Sequence, residues 1–197
     1  MATEDNRLLL ISSRVRNKPA MYSAVRPNIK VVEYNFDSHG LDEILGLVGT
    51  FLAGLKMTSI AMVVHSSERD LFVCAPGESK LSLKSVIGDE KIRNFFKNLV
   101  KEFLDKENWS ARLDFLATYM AEQIDGGLLA KELETMLDVH VGMSKNLEGS
   151  DIQVTMKRPG VNGFSTVGEM YFDMPTLQAA LKQVGKVTKD GQRKLEK

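Results

Sequence analysis

The sequence predicts an α/β fold: a three-layer sandwich with a mainly parallel central sheet, plus a C-terminal β-hairpin. Two short, wholly apolar segments, residues 8–11 and 60–64, are typical of strands that are buried on both faces. A segment with apolar residues at three- and four-residue spacing lies between them and indicates an amphipathic helix. Strands and helices that alternate in this way favour right-handed crossovers, which place the strands parallel.

The first half of the chain is predicted to hold three strands and one helix. The strands are residues 7–13, 28–36 and 58–65. A polar connection over residues 12–26 joins the first two strands. The helix has one apolar stripe, formed by Leu41, Ile44, Leu45, Val48, Phe51, Leu52 and Leu55. Asp37 or Ser38 is expected to cap its start, where backbone N–H groups need an acceptor.

The middle of the chain continues the alternation. The predicted strands are residues 71–75, 111–118 and 139–144. The first of these is short, and the turn-forming Pro76-Gly77 closes it. The helix that follows has Asp89 as its expected cap. Its apolar stripe consists of Ile92, Phe95, Phe96, Leu99, Val100, Phe103 and Leu104. A third helix is predicted over residues 126–137.

The last part of the chain changes character. Residues 151–157 alternate between apolar and polar side chains, and residues 164–172 are again strand-like, so together they predict a β-hairpin. A short helix over residues 176–184 follows. We therefore divide the chain into an α/β domain (1–150), a hairpin packed on or extending that domain (151–175), and a short helix with a charged tail (176–197).

Composition limits the classes of function. The chain has 197 residues, of which 43% are hydrophobic, enough for one sizeable core. Basic and acidic residues number 26 each, so no overall field favours nucleic acid. No apolar stretch approaches the roughly 18 residues of a membrane span, and the apolar run near the N-terminus is too short for a signal peptide. The expectation is a cytoplasmic protein with neither a membrane nor a nucleic-acid partner.

Cysteine and histidine are too sparse to predict a metal or cofactor site, although a carboxylate-assisted metal site stays open. The one cysteine, Cys74, ends an apolar run and is expected to be a buried, inert thiol. The three histidines, His39, His65 and His140, are scattered along the chain. Asp125-Gly126-Gly127 resembles an anion-binding turn before a helix, but it lacks the following lysine of a nucleotide-binding loop.

Short motifs in a fixed order give the chain a likeness to a known fold. They are Ile11-Ser12-Ser13-Arg14-Val15, Gly40-Leu41-Asp42-Glu43-Ile44, Val64-His65-Ser66, Ala117-Thr118-Tyr119-Met120-Ala121, Gly127-Leu128-Leu129 and residues 141–149. With them, residues 7–150 resemble the caspase-like fold, and more narrowly the uncharacterised caspase-like domain found near the N-termini of some large bacterial surface and repeat proteins. The resemblance implies a cysteine-peptidase layout, with the chemistry at the ends of the third and fourth main strands.

The residues that would carry that chemistry are only partly kept. His65 is present, but Ser66 replaces the glycine that follows it in the family, and Thr118 replaces the catalytic cysteine. Ser12 stands where the family has an acid. A nearby imidazole readily ionises a thiol, whereas a threonine hydroxyl is far less acidic and stays neutral. Threonine nucleophiles are familiar at a free N-terminus, and Thr118 is internal.

These departures favour a degenerate, non-catalytic caspase-like domain, a pseudo-peptidase that acts as a binding, scaffold or self-assembling structural protein. His65, Thr118 and Ser66 are then vestigial, and no catalytic residue is expected. The alternative is a hydrolase or peptidase with His65 as the base and a displaced nucleophile, which could be Thr118, Ser66, Ser67 or Cys74. Caspase-like domains commonly pair through an edge strand, so the resemblance implies a protein partner. We expect a homo-oligomer, with the C-terminal hairpin as its contact.

Overall fold

The computed structural model describes residues 6–67, 69–117, 124–144, 153–154 and 166–195. Within these residues the chain forms eight strands: β1 (Arg7–Ser12), β2 (Ile29–Tyr34), β3 (Ser59–Val63), β4 (Leu71–Cys74), β5 (Ser79–Leu81), β6 (Arg112–Leu116), β7 (His140–Met143) and β8 (Gln153–Val154). It also forms seven α-helices: α1 (Lys18–Ala24), α2 (Leu41–Leu52), α3 (Leu83–Gly88), α4 (Glu90–Phe103), α5 (Ile124–Leu137), α6 (Val167–Tyr171) and α7 (Met174–Leu195).

Six of the strands form one sheet in the order β2-β1-β3-β6-β7-β8. The first five run parallel, and β8 pairs antiparallel with β7. The prediction of an α/β fold with a mainly parallel central sheet is therefore confirmed. The connection from β1 runs outward to β2, whereas the connection from β3 runs the opposite way to β6, so the chain changes direction between the adjacent strands β1 and β3. In open α/β sheets such a switch point, at the carboxyl ends of the strands, is the usual place for a site.

Helices cover both faces of this sheet. Alternate residues of β1 divide between two apolar clusters: Leu8 and Leu10 belong to one, and Leu9 and Ile11 to the other. The first cluster includes buried side chains of α2, α4 and α5. The second includes side chains of α1, α6 and α7. Burial on both faces explains why β1 and β3 contain uninterrupted apolar runs in the sequence.

A small antiparallel hairpin follows β3. The predicted strand at residues 71–75 is present as β4, and it pairs with β5, which the sequence did not predict. β5 has three residues, of which Ser79 and Leu81 are buried, so its alternation is too short to identify. A bridge between Ser66 and Leu71 joins this hairpin to the end of β3.

Two helices lie where the sequence predicted none. α1 occupies part of the predicted polar connection over residues 12–26, with Pro19 in its first turn, where the missing N–H is harmless. Only three of its residues, Ala20, Met21 and Ala24, are buried, and two of these are small. α3 is six residues long and capped by Ser82, whose hydroxyl accepts from the Ser85 N–H. Short helices of this kind are stabilised by tertiary packing more than by their own sequence pattern.

The C-terminal region differs from the prediction. Val167–Tyr171 is the helix α6, not the second strand of a hairpin, and the Thr166 hydroxyl caps it by accepting from the Glu169 N–H. Its buried side chains, Val167, Met170 and Tyr171, have helical spacing. In the first half of the predicted hairpin, the described residues form one short strand, β8. Residues 155–165 lie outside the described residues. The final helix is longer than predicted, since α7 runs from Met174 to Leu195.

The two helices with strong apolar stripes are present, with corrections to one of them. Asp89 caps α4 as predicted, because its carboxylate accepts from the N–H groups of Lys91 and Ile92. In contrast, α2 begins after Gly40, not at Asp37 or Ser38. Phe51 and Leu55, placed on its apolar stripe, are 50% and 49% exposed. In the described part of the chain, no helix combines the length and apolarity that a bilayer crossing requires.

Candidate functional site

His65 lies at the carboxyl ends of the parallel strands, as the sequence predicted. β3 ends at Val63, and Val64 continues its pairing by donating its N–H to the Leu116 carbonyl, 3.2 Å away. The carbonyl of His65 accepts from the Phe72 N–H at 3.0 Å. The backbone of His65 is therefore held between the central sheet and the β4–β5 hairpin.

The imidazole of His65 is packed against two phenyl rings. Phe72 is stacked on it, with ring centroids 4.8 Å apart and an interplanar angle of 9°. Phe36 meets it at 67°, also at 4.8 Å. The Arg14 guanidinium lies 5.2 Å from the Phe36 centroid, and the Lys80 ammonium lies 5.4 Å from the Phe72 centroid. We call these five side chains, Arg14, Phe36, His65, Phe72 and Lys80, the His65 stack.

The surroundings of His65 favour its neutral form. Burial lowers the pKa of the imidazole, and the Arg14 cation lowers it further, while the Asp37 carboxylate opposes the shift. Asp37 is itself engaged by Arg14, whose Nη2 lies 2.6 Å from Asp37 Oδ1. The Nδ1 atom of His65 is buried and has no hydrogen-bond partner among the described residues. A general base is normally oriented by such a bond, and the described residues do not provide it here.

Thr118 lies outside the described residues, and the last described residue before it is Ala117. Ser144 holds that residue, Ala117, through two hydrogen bonds: its hydroxyl accepts from the Ala117 N–H at 2.9 Å and donates to the Ala117 carbonyl at 3.1 Å. Both residues are fully buried. Ser144 is thus a positioning residue for the end of β6, a role that its place after an apolar strand did not reveal.

Two candidates for a displaced nucleophile, Ser67 and Cys74, have side chains that are engaged in other contacts. Ser67 Oγ accepts from the backbone N–H groups of Arg69 and Asp70, at 3.5 and 3.2 Å, as in a polar turn. Cys74 is 2% exposed, and its Sγ donates to the Pro76 carbonyl at 3.7 Å. Burial raises the pKa of this thiol, so it is protonated at neutral pH. Ser66 lies next to His65 in the chain and takes part in the bridge to Leu71.

The remaining sequence candidates do not join this site. His39 Nδ1 accepts from the Asn35 N–H at 3.2 Å, and His140 begins β7 at the opposite, amino end of the strands. The turn predicted at Asp125-Gly126-Gly127 lies inside the first turn of α5, which corrects its interpretation as a loop before a helix. Within the described ranges, no group of three His, Cys, Asp or Glu side chains is arranged to hold a metal ion.

Sequence reasoning also missed a buried ion pair in β6. Arg112 Nη2 lies 2.6 Å from Asp114 Oδ1, and the two side chains are only 4% and 0% exposed. The Tyr171 hydroxyl donates to Asp114 Oδ2 at 3.3 Å, and burial together with the Asp114 carboxylate raises the pKa of that tyrosine well above its ordinary value. Gly142, opposite Asp114 in β7, leaves the room that the carboxylate occupies. This cluster is packed in the interior and links β6 to α6.

The chain matches no known protein-family model, and it matches no curated protein.

Proposed function

We propose that the chain is a degenerate caspase-like domain that works by binding or self-assembly and not by hydrolysis. The sheet order and the position of His65 at the end of β3 support the caspase-like part of the proposal. So do the short hairpin that follows His65 and the antiparallel strand at the far edge of the sheet. The replacement of the family's cysteine by Thr118 supports the non-catalytic part.

The packing of His65 is the observation that carries the proposal. A catalytic imidazole needs one nitrogen facing the nucleophile and a partner that orients the ring through the other nitrogen. Here the ring packs against Phe36 and Phe72, and Nδ1 is buried without a hydrogen-bond partner among the described residues. Stacking of this kind stabilises the sheet end and the hairpin that it joins. The histidine then serves as a packing residue.

Self-assembly is best supported at the β8 edge of the sheet. The other edge strand, β2, carries Lys30 and Glu33, and Glu33 is bound by Lys18 and Tyr22. Charged side chains on an edge strand discourage pairing with another chain. β8 continues the sheet antiparallel beyond β7 and is the last strand of the sheet among the described residues, an arrangement that suits the addition of a further strand. We propose that a second copy of this chain pairs there.

Activity-directed labelling tests the absence of catalysis. The native protein is treated with a fluorophosphonate, which labels activated hydroxyl groups, and separately with iodoacetamide, which labels thiolates. We expect no labelling of Ser66, Ser67 or Thr118, and modification of Cys74 only after unfolding. Labelling of the folded protein at any of these residues, abolished by His65→Ala, would support the alternative that the chain is a hydrolase.

Light scattering across a concentration series tests self-assembly. We expect the molar mass to rise from one chain toward two as concentration increases. A lysine substituted for Val154 in β8 should shift this rise to higher concentration, because a charge on an edge strand opposes pairing. A lysine at Thr50, an exposed residue of α2 away from the sheet edges, is the control. A molar mass that stays at one chain throughout would exclude self-assembly while leaving the catalytic question unaffected.

A further inference from the structure

A second candidate site lies at the opposite end of the sheet from His65. It is a groove of about 320 Å³ beside the amino ends of β6 and β7. The side chains that define it are Lys106, Asn108, Trp109, Glu134, Asp138 and His140. Its volume falls at the lower end of the range of small-molecule sites. Neither the proposed function nor the caspase-like resemblance uses this region.

The indole ring of Trp109 gives the groove a flat apolar surface. It is 50% exposed, and it is the only tryptophan in the sequence. Its loop is held in place by hydrogen bonds on both sides: Asn108 donates its N–H to the Asp105 carbonyl, and the Asn108 carbonyl accepts from the Ala111 N–H. The Asn108 side chain also accepts from the N–H and the hydroxyl of Ser110. The indole is thus presented to solvent by an ordered loop.

The charges in the groove are largely matched by neighbouring groups. Lys106 Nζ donates to the Leu137 carbonyl at 3.0 Å and lies 3.7 Å from Asp138 Oδ2. Glu134 Oε1 accepts from the Val141 N–H at 3.1 Å. A lining of both signs favours neither an anion nor a cation. It does suit a neutral ligand with several hydroxyl groups, which donate to carboxylates and accept from an ammonium or an imidazole N–H.

The geometry points to a binding site for a neutral pyranose sugar in this groove. The C–H face of the sugar ring stacks on the Trp109 indole, which excludes water from an apolar surface that is otherwise half exposed. The Asp138 carboxylate, whose side chain is 94% exposed, accepts from the ring hydroxyls at the rim. His140 and Lys106 also line the groove, where their N–H groups donate to the ring oxygens.

Trp109 also makes the proposal straightforward to test, because the chain's tryptophan fluorescence and its one indole N–H signal both report on the groove. The protein is titrated with methyl β-D-glucopyranoside, methyl β-D-galactopyranoside, N-acetylglucosamine and cellobiose. We expect saturable changes in both signals with at least one of them. Sorbitol, which has the hydroxyl groups but no ring, should give none. Tetramethylammonium is the probe for a cation site.

Two variants locate the binding, which is followed through the signals of the sugar itself by saturation-transfer NMR. Trp109→Ala should weaken the affinity about tenfold. Phe51→Ala, which removes an aromatic side chain of equal exposure on α2, should leave it unchanged. The proposal is overturned if none of the four sugars saturates either signal up to about 100 mM. It is also overturned if tetramethylammonium alone binds, or if Trp109→Ala binds sugar as well as the native chain does.

Discussion

The rings of His65 and Phe72 lie face to face, with centroids 4.8 Å apart and planes only 9° from parallel. His65 belongs to the end of the central sheet, and Phe72 belongs to β4 of the hairpin that follows. The contact therefore joins two sheets through one pair of side chains. A substitution that leaves the imidazole in place while removing the phenyl ring tests what this contact contributes.

Phe72→Ala should destabilise the protein and loosen the hairpin. Phe72 is half-buried, so we expect a loss of about 1–2 kcal/mol in the free energy of unfolding. The pKa of His65 should rise toward its ordinary value, because water then reaches the ring. Urea denaturation and an NMR titration of the His65 ring measure the two effects. An unchanged pKa in a destabilised variant would mean that Phe72 does not shield the imidazole.

The stability of the protein should fall on the acid side of neutrality in a way that depends on His65. Its pKa is lowered from 6.5 in the folded state, so the unfolded chain binds the proton more readily. The stabilising contribution of His65 is thus fully present above the unfolded pKa and is lost as pH falls through the lower, folded pKa. Urea denaturation between about pH 7.5 and about pH 5 measures this loss. His65→Phe should remove that component of the pH dependence, and an unaltered profile would contradict the assignment.

Gly142→Ala should be strongly destabilising, because the new Cβ would overlap with Asp114 Oδ1 and come within 3.0 Å of Arg112 Nη2. The buried ion pair would have to separate, which we expect to lower the free energy of unfolding by about 3 kcal/mol or more. Gly46→Ala is the matched control, since nothing lies within 4 Å of its Cβ and it sits inside α2. That variant should be stabilised by about 0.5–1 kcal/mol. Equal effects in the two variants would show that the space opposite Asp114 is not critical.

Ser144→Ala should release the end of β6. The substitution removes both hydrogen bonds to the backbone of Ala117 and leaves its buried N–H and carbonyl without that partner. We expect a loss of about 1–3 kcal/mol in the free energy of unfolding. Hydrogen exchange should accelerate at the Ala117 amide more than at central β6 amides such as that of Leu113. Ser144→Thr keeps the hydroxyl and should retain most of the protection.

The elements that the sequence predicted well are those whose residues are sufficient to specify them. α4 combines a capping Asp89 with seven apolar residues at helical spacing, and its observed start agrees with the prediction. β1 and β3 contain continuous apolar runs. In contrast, α1 and α6 have seven and five residues, and each is stabilised mainly by what packs against it. Residues 164–172 also contain enough aromatic and β-branched side chains to favour a strand locally, and tertiary packing overrides that preference.

The position of His65 was predicted from the sequence, but its environment was not. His65 lies at the end of β3 because the strand pattern ends there. The neighbours that decide its chemistry, Phe36 and Arg14, come from other loops and are brought to it only by the sheet order. The same holds for Ser144 and Ala117, which are far apart in the chain and meet because β6 and β7 are adjacent. Contacts between elements depend on topology, which spacing along one element does not encode.

Gly142 has a consequence for how β7 aligns with β6. In the observed register Gly142 lies opposite Asp114. A slip of β7 by one residue in either direction would place Val141 or Met143 there, and it would also turn every side chain of the strand to the other face. Both members of the Arg112–Asp114 pair belong to β6, and Gly142 is the one residue of β7 small enough to lie over the pair. The buried ion pair of β6 and the glycine of β7 therefore favour a single pairing register between these two strands.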